Sequence, residues 1–296
     1  MPGNNLCSKR PPQVRLIERS TRTESTLGLF GSEYQQELQK RTHEMRHWIT
    51  ATPGIYNAGR FMGIDDPDRQ PWSAMEAMLE RDALLALRMI SPRQVAHFFP
   101  RLQATGCRVD TWDIFIGEPH EAGRQARAIL ARNLPAGIAI LPQLADAESA
   151  ETRAVQQFLA ASGLAPFSGT MLVARPPLAK TIVLGDESGA IAATGHAYFP
   201  HNAHSLFCEH AWIGLLAVAE SWRGKGLGRL LNSMLVDCAF AELGARFVYE
   251  MVSPSNDKSR RMIEGSGLRL APDLRCGVAT PANTARFTRW RLASEL

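Results

Sequence analysis

The segment AWIGLLAVAESWRGKGLGRLL, residues 211–231, constrains this chain more than any other. Its first nine residues are apolar without alternation, as in a strand covered on both faces and therefore central in a sheet. Gly224, Gly226 and Gly228 follow, and helical spacing begins at Leu227. A strand that turns through glycines into a helix leaves the first helical N–H donors unpaired. With no Cβ atoms in the way an anion approaches closely, and the helix dipole favours its charge. Arg223, Lys225 and Arg229 add positive charge at the same place. The local physics is that of a phosphate or pyrophosphate site. A triphosphate loop needs GxxxxGK[ST], but Gly226 follows Lys225; a dinucleotide turn needs GxGxxG, but the spacing here is GxGxG.

Around this turn the pattern predicts a succession of strands and helices. AGIAILPQL reads as a short strand and DAESAETRAVQQFLAASG as a helix with acidic residues in its first turn. KTIVLGD and GAIAATGHAYFP read as two strands joined at Gly189. The helix from Leu227 to Leu243 lines up Leu230, Leu231, Met234, Leu235, Cys238 and Ala241, with Gly244 at its end. RFVYEMV is a further strand, SNDKSRRMIEGSG a short helix, and ARFTRWRLAS an alternating strand with a basic outer face rather than a nucleic-acid surface.

Residues 1–32 read as a flexible tail. SEYQQELQKRTHEMRHWI reads as a helix, TPGIYNAGRFMGIDDPDRQP as a loop, and WSAMEAMLERDALLALRMI as one helix opened by Ser73. Ser91-Pro92 reads as the cap and first position of another helix. RVDTWDIFIG alternates as a strand, and EAGRQARAILARNL is helical. The block 33–133 therefore reads as a mainly helical domain without a chemical motif, ahead of a second domain at 134–296.

At 296 residues the chain has room for two domains, and a net charge of +4 fits a small anionic ligand as well as nucleic acid. Five scattered cysteines without CxxC or Cys/His spacing argue for a reducing interior and against a disulfide scaffold or zinc site. No signal peptide or membrane-length apolar run is present, which implies a cytoplasmic protein without membrane contact.

The second domain resembles the GNAT-type N-acetyltransferases. Their [R/Q]-x-x-G-x-[G/A] fingerprint follows an LAV-like strand, as Arg223–Gly228 follows Leu216-Ala217-Val218. Asn256, Ser259, Met262, Glu264 and Gly267-Leu268 fall on a second family element. The resemblance implies a mixed, mostly antiparallel sheet flanked by helices, an α/β fold. It implies acetyl-CoA as co-substrate, no metal, and direct acetyl transfer to a small-molecule or peptide amine by a monomer or homodimer. It further implies that the amides of Gly224, Lys225, Gly226, Leu227, Gly228 and Arg229 hold the pyrophosphate. The central strand would splay after Val218, Leu216–Val218 would bond the pantetheine arm with the Val218 amide facing the thioester oxygen, and Asn256, with Ser259 in the cofactor site, would bond the pantetheine or adenosine end. The chain departs from the family pattern at the proton-transfer positions. Trp212 and Gly214 stand where a base is common, and Ile263 stands where a tyrosine acid is common. Glu209 and His210 are the preferred substitutes for the base and Tyr249 a substitute for the acid. A non-catalytic CoA-binding sensor and a nucleotide-binding domain are the competing readings, and block 33–133 is either a cover for the acceptor side or a decayed second copy.

Overall fold

The computed structural model of the chain describes residues 26–283. One ten-stranded sheet runs through it, in the order β1 (Ile55–Asn57), β2 (Met62–Ile64), β3 (Leu85–Ile90), β10 (Arg269–Pro281), β4 (Cys107–Gly117), β9 (Phe247–Val252), β8 (His210–Val218), β7 (Ile191–Tyr198), β6 (Ala179–Asp186), β5 (Ile138–Ile140). Only β2/β3, at a single residue pair, and β8/β9 are parallel; the other neighbours are antiparallel. The sheet is thus mixed and mostly antiparallel, as expected.

Helices cover both faces. On one face α8 (Leu227–Ala241) and α5 (Arg124–Leu130) bury Leu231, Leu235, Val236 and Ala126 against β7, β8 and β9. On the other, α6 (Ala150–Ala161) and α7 (Gly169–Leu172) bury Val155, Leu159 and Leu172 against Val183, Tyr198, Trp212 and Tyr249. Truncating Leu231, Leu235, Leu159 or Leu172 to alanine typically costs about 2–5 kcal/mol, so the two layers fix the strands between them. Toward the β1 edge, α3 (Trp72–Asp82) and α4 (Pro92–Ala104) cover β2 and β3. Helices α1 (Glu33–Glu44) and α2 (Arg46–Ala51) precede them, and α9 (Asp257–Gly265) follows β9.

Helical residues outnumber strand residues in 33–133, but its strands enter the common sheet, where β4 lies between β9 and β10. Three expectations need correction. WSAMEAMLERDALLALRMI is not one helix: α3 ends at Asp82, Ala83 takes a left-handed φ of 47°, and LALRMI is the fully buried β3. Leu84–Leu87 is an apolar run that helical and strand templates both accept, and burial on both faces decides it. The presumed loop at 52–71 contains β1 and β2, a hairpin too short for periodicity to register. The tail is held from Leu27 onward, where the carbonyls of Leu27 and Gly28 accept from the amides of Thr170 and Gly169. Conversely β10, unread in the sequence, is the longest strand. The expected strand ARFTRWRLAS lies wholly outside the described residues. Cys107, Cys238 and Cys276 are free and buried; Cys208 is disulfide-bonded, which the expectation of a reducing interior did not foresee. Among the described residues no helix is long and apolar enough to cross a membrane.

Candidate functional site

The central feature is a fork. Strands β8 and β9 pair through His210–Phe247, Ala211–Val248 and Trp212–Tyr249, and there the pairing stops, while β7 stays paired with β8 as far as Val218. The splay therefore begins at Trp212, not after Val218, and the stretch 213–218 has one edge without a strand partner. Leu216, Ala217 and Val218 lie along that edge. Arg223 Nε already donates to the Val218 carbonyl, at 3.1 Å. The register of β7 and β8 shifts between Thr194 and His196, opposite Leu215, whose φ is +53°. This bulge breaks the alternation: Ile213 and Leu216 pack on the α8 side, Trp212, Leu215 and Ala217 on the α6 side. A non-glycine residue held at positive φ is strained, and such strain concentrates at functional sites. Gly214 has its own reason. A Cβ there would lie 2.1 Å from the Trp212 ring, so the glycine lets the indole lie across the strand.

Beyond the fork the chain enters the glycine turn. Gly224 and Gly226 have φ of +77° and +81°, and a Cβ on either would meet nothing within 4 Å. The glycines are needed for backbone conformation and leave open space outside it. Gly226 is the N-cap of α8 and no side chain caps the helix. The contrast with α4 is direct: Ser91 and Gln94 close its N-terminus with a complete capping box. Of these two strand-to-helix turns, only the one into α8 leaves its donors open. Arg223, Lys225 and Arg229 are exposed around it, with Lys225 Nζ 4.6 Å from the Trp222 ring. The donor set is cationic and rich in free amides, so it fits a pyrophosphate. Asn256 is exposed at the start of α9, where its side-chain oxygen caps the Ser259 amide at 3.1 Å.

The proton-transfer candidates fare differently. Glu209 is in an ion pair with Arg246 at 3.2 Å. His210 stacks on Phe247 at 4.5 Å, and its pKa is pushed down to about 3, chiefly by burial and further by His201. A neutral imidazole of that basicity accepts protons poorly at neutral pH. His196 is likewise buried and pushed down to about 3. Ile263 is core, 2% exposed under α8. Tyr249 stands at the fork. Its hydroxyl lies 3.0 Å from His201 Nε2 and 3.2 Å from Arg88, and His201 Nδ1 lies 2.6 Å from Asp65 Oδ2. Ser205 Oγ donates to the same Asp65 oxygen at 2.6 Å. Burial alone would raise the Asp65 pKa, but the bonds from His201 and Ser205 hold it below the usual carboxylate value. Burial pushes the Tyr249 phenol well above its ordinary value, against the opposing pull of Arg88, so it keeps its proton at neutral pH.

Asp65, Arg88, His201 and Ser205 were not read from the sequence as site residues. The one usable signal was Arg88, a lone charge inside the apolar run LLALRMI, and it was hidden by reading that run as helix. Tyr56, Asp65 and Arg88 come from the first block, His201 and Tyr249 from the second, so the network exists only in the joined sheet.

Glu250 follows Tyr249 on β9 but buries its carboxyl toward α8, where Asn232 donates to it at 2.7 Å. Burial raises its pKa from 4.5 to about 8, partly offset by Asn232. Below the unfolded value both states are protonated; above it the unfolded chain releases a proton that the folded one keeps. Stability therefore declines between about pH 4.5 and 8 and levels off above. Thermal melts across this range should show that decline in the wild type and a flatter profile for Glu250→Gln.

A forked parallel pair leading into an uncapped glycine turn, on a mixed sheet between helical layers, defines an acyltransferase. The profile described as Acetyltransferase (GNAT) family matches residues 149–267. The match runs from the start of α6 through the glycine turn to just past α9. Among solved structures, a GCN5-related N-acetyltransferase from Kribbella flavida aligns with TM-score 0.52 and 18% identity, covering 79% of this chain and 80% of that one. A Drosophila protein aligns with TM-score 0.52 and 14% identity, covering 85% and 90%. At such identities the likeness is one of fold. No curated protein matches the sequence.

Proposed function

We propose that this protein transfers an acetyl group from acetyl-CoA to an amine, a small molecule or peptide, by direct attack on the thioester. The observation that carries the reading is the continuity of the β8/β9 fork with the uncapped N-terminus of α8. The amides from Gly224 to Arg229 hold the pyrophosphate, and the free edge at Leu216–Val218 bonds the pantetheine arm. Bound acetyl-CoA supplies an activated acyl carbon. An edge amide, that of Val218, donates to the carbonyl oxygen as charge develops there, and a preorganised donor in a site shielded from water is worth more than one in solution.

The amine nitrogen forms the new C–N bond as the C–S bond breaks. Tyr249, neutral and at the fork, gives its proton to the departing sulfur. The proton shed by the amine returns to the tyrosine through His201, which Asp65 orients. This assigns Tyr249 the acid role for which Ile263 is unsuited, and leaves Glu209 and His210 without a role in proton transfer. Block 33–133 supplies Tyr56, Asp65 and Arg88. Its own β3–α4–β4–α5 succession parallels β8–α8–β9–α9, including a positive-φ strand residue, Met89 at +58° beside Leu215 at +53°. We read it as a silent second unit, with β10 lying between β3 and β4 and a capping box closing α4.

The test is release of free CoA thiol from acetyl-CoA with a panel of amines. Saturable turnover supports the assignment. Tight CoA binding without turnover of any amine would instead favour the non-catalytic sensor, the reading to which Ile263 in the core lends weight.

A further inference from the structure

We propose that Arg88 is a recognition site for a carboxylate on the acceptor, so that the amine substrate is an amino acid; this rests on the acetyl-transfer reading above. Arg88 lies on β3 and is 5% exposed. It forms no ion pair with a carboxylate among the described residues. Its contacts are the hydroxyls of Tyr249 and Tyr198, the Cys276 thiol, the face of Tyr56 at 4.6 Å and the Trp212 ring at 5.7 Å. Its Nε donor has no hydrogen-bond partner, and neither has the Trp212 indole nitrogen, 9% exposed beside it. Asp65 makes no ion pair with it: one carboxylate oxygen is engaged by His201 and Ser205, and the other has no hydrogen-bond partner.

A buried cation without a counter-charge is expensive, as is each orphaned donor, so structures rarely keep both without use. Orphans that are both donors call for an acceptor-only group. A planar monoanion matches one guanidinium fork and one indole N–H; a phosphate would bring more charge than a single arginine balances. The position also fits the chemistry. In an α-amino acid the amine and the carboxylate share one carbon. A carboxylate on Arg88 therefore sets the amine beside the Tyr249 hydroxyl, 3.2 Å from the guanidinium. Trp212 and Tyr249 are the last paired residues before β8 and β9 part, so Arg88 contacts the base of the fork.

The experiment compares the common L-amino acids with their carboxamides as acceptors in the full-length protein. At least one amino acid should be acetylated with kcat/KM about 100-fold above its amide, the order of a lost charge-assisted bidentate contact. Arg88→Met should erase that preference, bringing kcat/KM for the amino acid down to that for its amide in the same variant, whatever the loss of overall rate through the contact with Tyr249. Arg88→Lys should restore part of it, and Trp212→Phe should weaken it by less. A readout independent of turnover is the melting temperature of the CoA-loaded protein: the preferred amino acid should raise it and its amide should not. Uncharged amines acetylated as well as amino acids would overturn the carboxylate site while sustaining the transferase. Equal melting shifts from acid and amide would overturn it even for a protein that turns nothing over.

Discussion

Replacing Gly226 by valine should weaken coenzyme A binding by more than about 100-fold and leave a folded protein. Two effects combine. The backbone at φ +81° disfavours a β-branched residue by about 1–2 kcal/mol, so the turn shifts away from its native shape. The new side chain also fills the space over the donors, which in the native turn holds no protein atom within 4 Å. Hydrogen bonds to a charged group are worth about 1.5–3 kcal/mol each, and losing two of them already exceeds a hundredfold. Because nothing in the protein clashes with the valine, the melting temperature without ligand should fall by only a few degrees. Titration calorimetry against CoA reads the first effect and a thermal melt the second. An unchanged dissociation constant would remove the pyrophosphate from this turn.

Tyr249→Phe should lower kcat by about 100- to 1,000-fold with little change in the KM for acetyl-CoA, the range in which general acid catalysis contributes. The substitution keeps the ring that fills the core and removes only the hydroxyl bonded to His201 and Arg88. Some stability is lost as well, about 1–3 kcal/mol, because Arg88 loses a hydrogen-bond partner in a buried place. Burial holds the Tyr249 phenol well above its ordinary value, so the kcat deficit of the variant should be equal across the pH range in which the protein is folded. It should persist at temperatures where the variant is fully folded, whereas a deficit due to destabilisation alone vanishes on cooling. A Tyr249→Phe enzyme with wild-type kcat would return the proton to water or another group.

The cofactor half of the site was legible because its determinants are local. Gly224, Gly226 and Gly228 after an apolar strand dictate the turn, and the helix that follows presents its own amides. The same locality made α6, β6, β7, β8 and β9 readable from periodicity and turn residues. The fork was inferred but misplaced, because the residue where two strands part depends on the bulge at Leu215 and on the Trp212 indole lying over Gly214. Neither leaves a mark in a one-dimensional pattern. Glu209 and His210 were named by type and position; that Glu209 pairs with Arg246 and that His210 is buried against Phe247 are facts of the tertiary structure.

Sequence alone determined the glycine turn proposed to hold an anion, since the open donors of a glycine-capped helix are a property of consecutive residues. Tertiary structure alone brought together the residues of the proposed acceptor side. Asp65, Arg88, His201 and Tyr249 are up to 184 positions apart in the chain and meet because β3, β10, β4, β9 and β8 lie side by side in one sheet. Strand order is set by burial of both sheet faces at once, a condition on the whole chain that no short stretch of it carries.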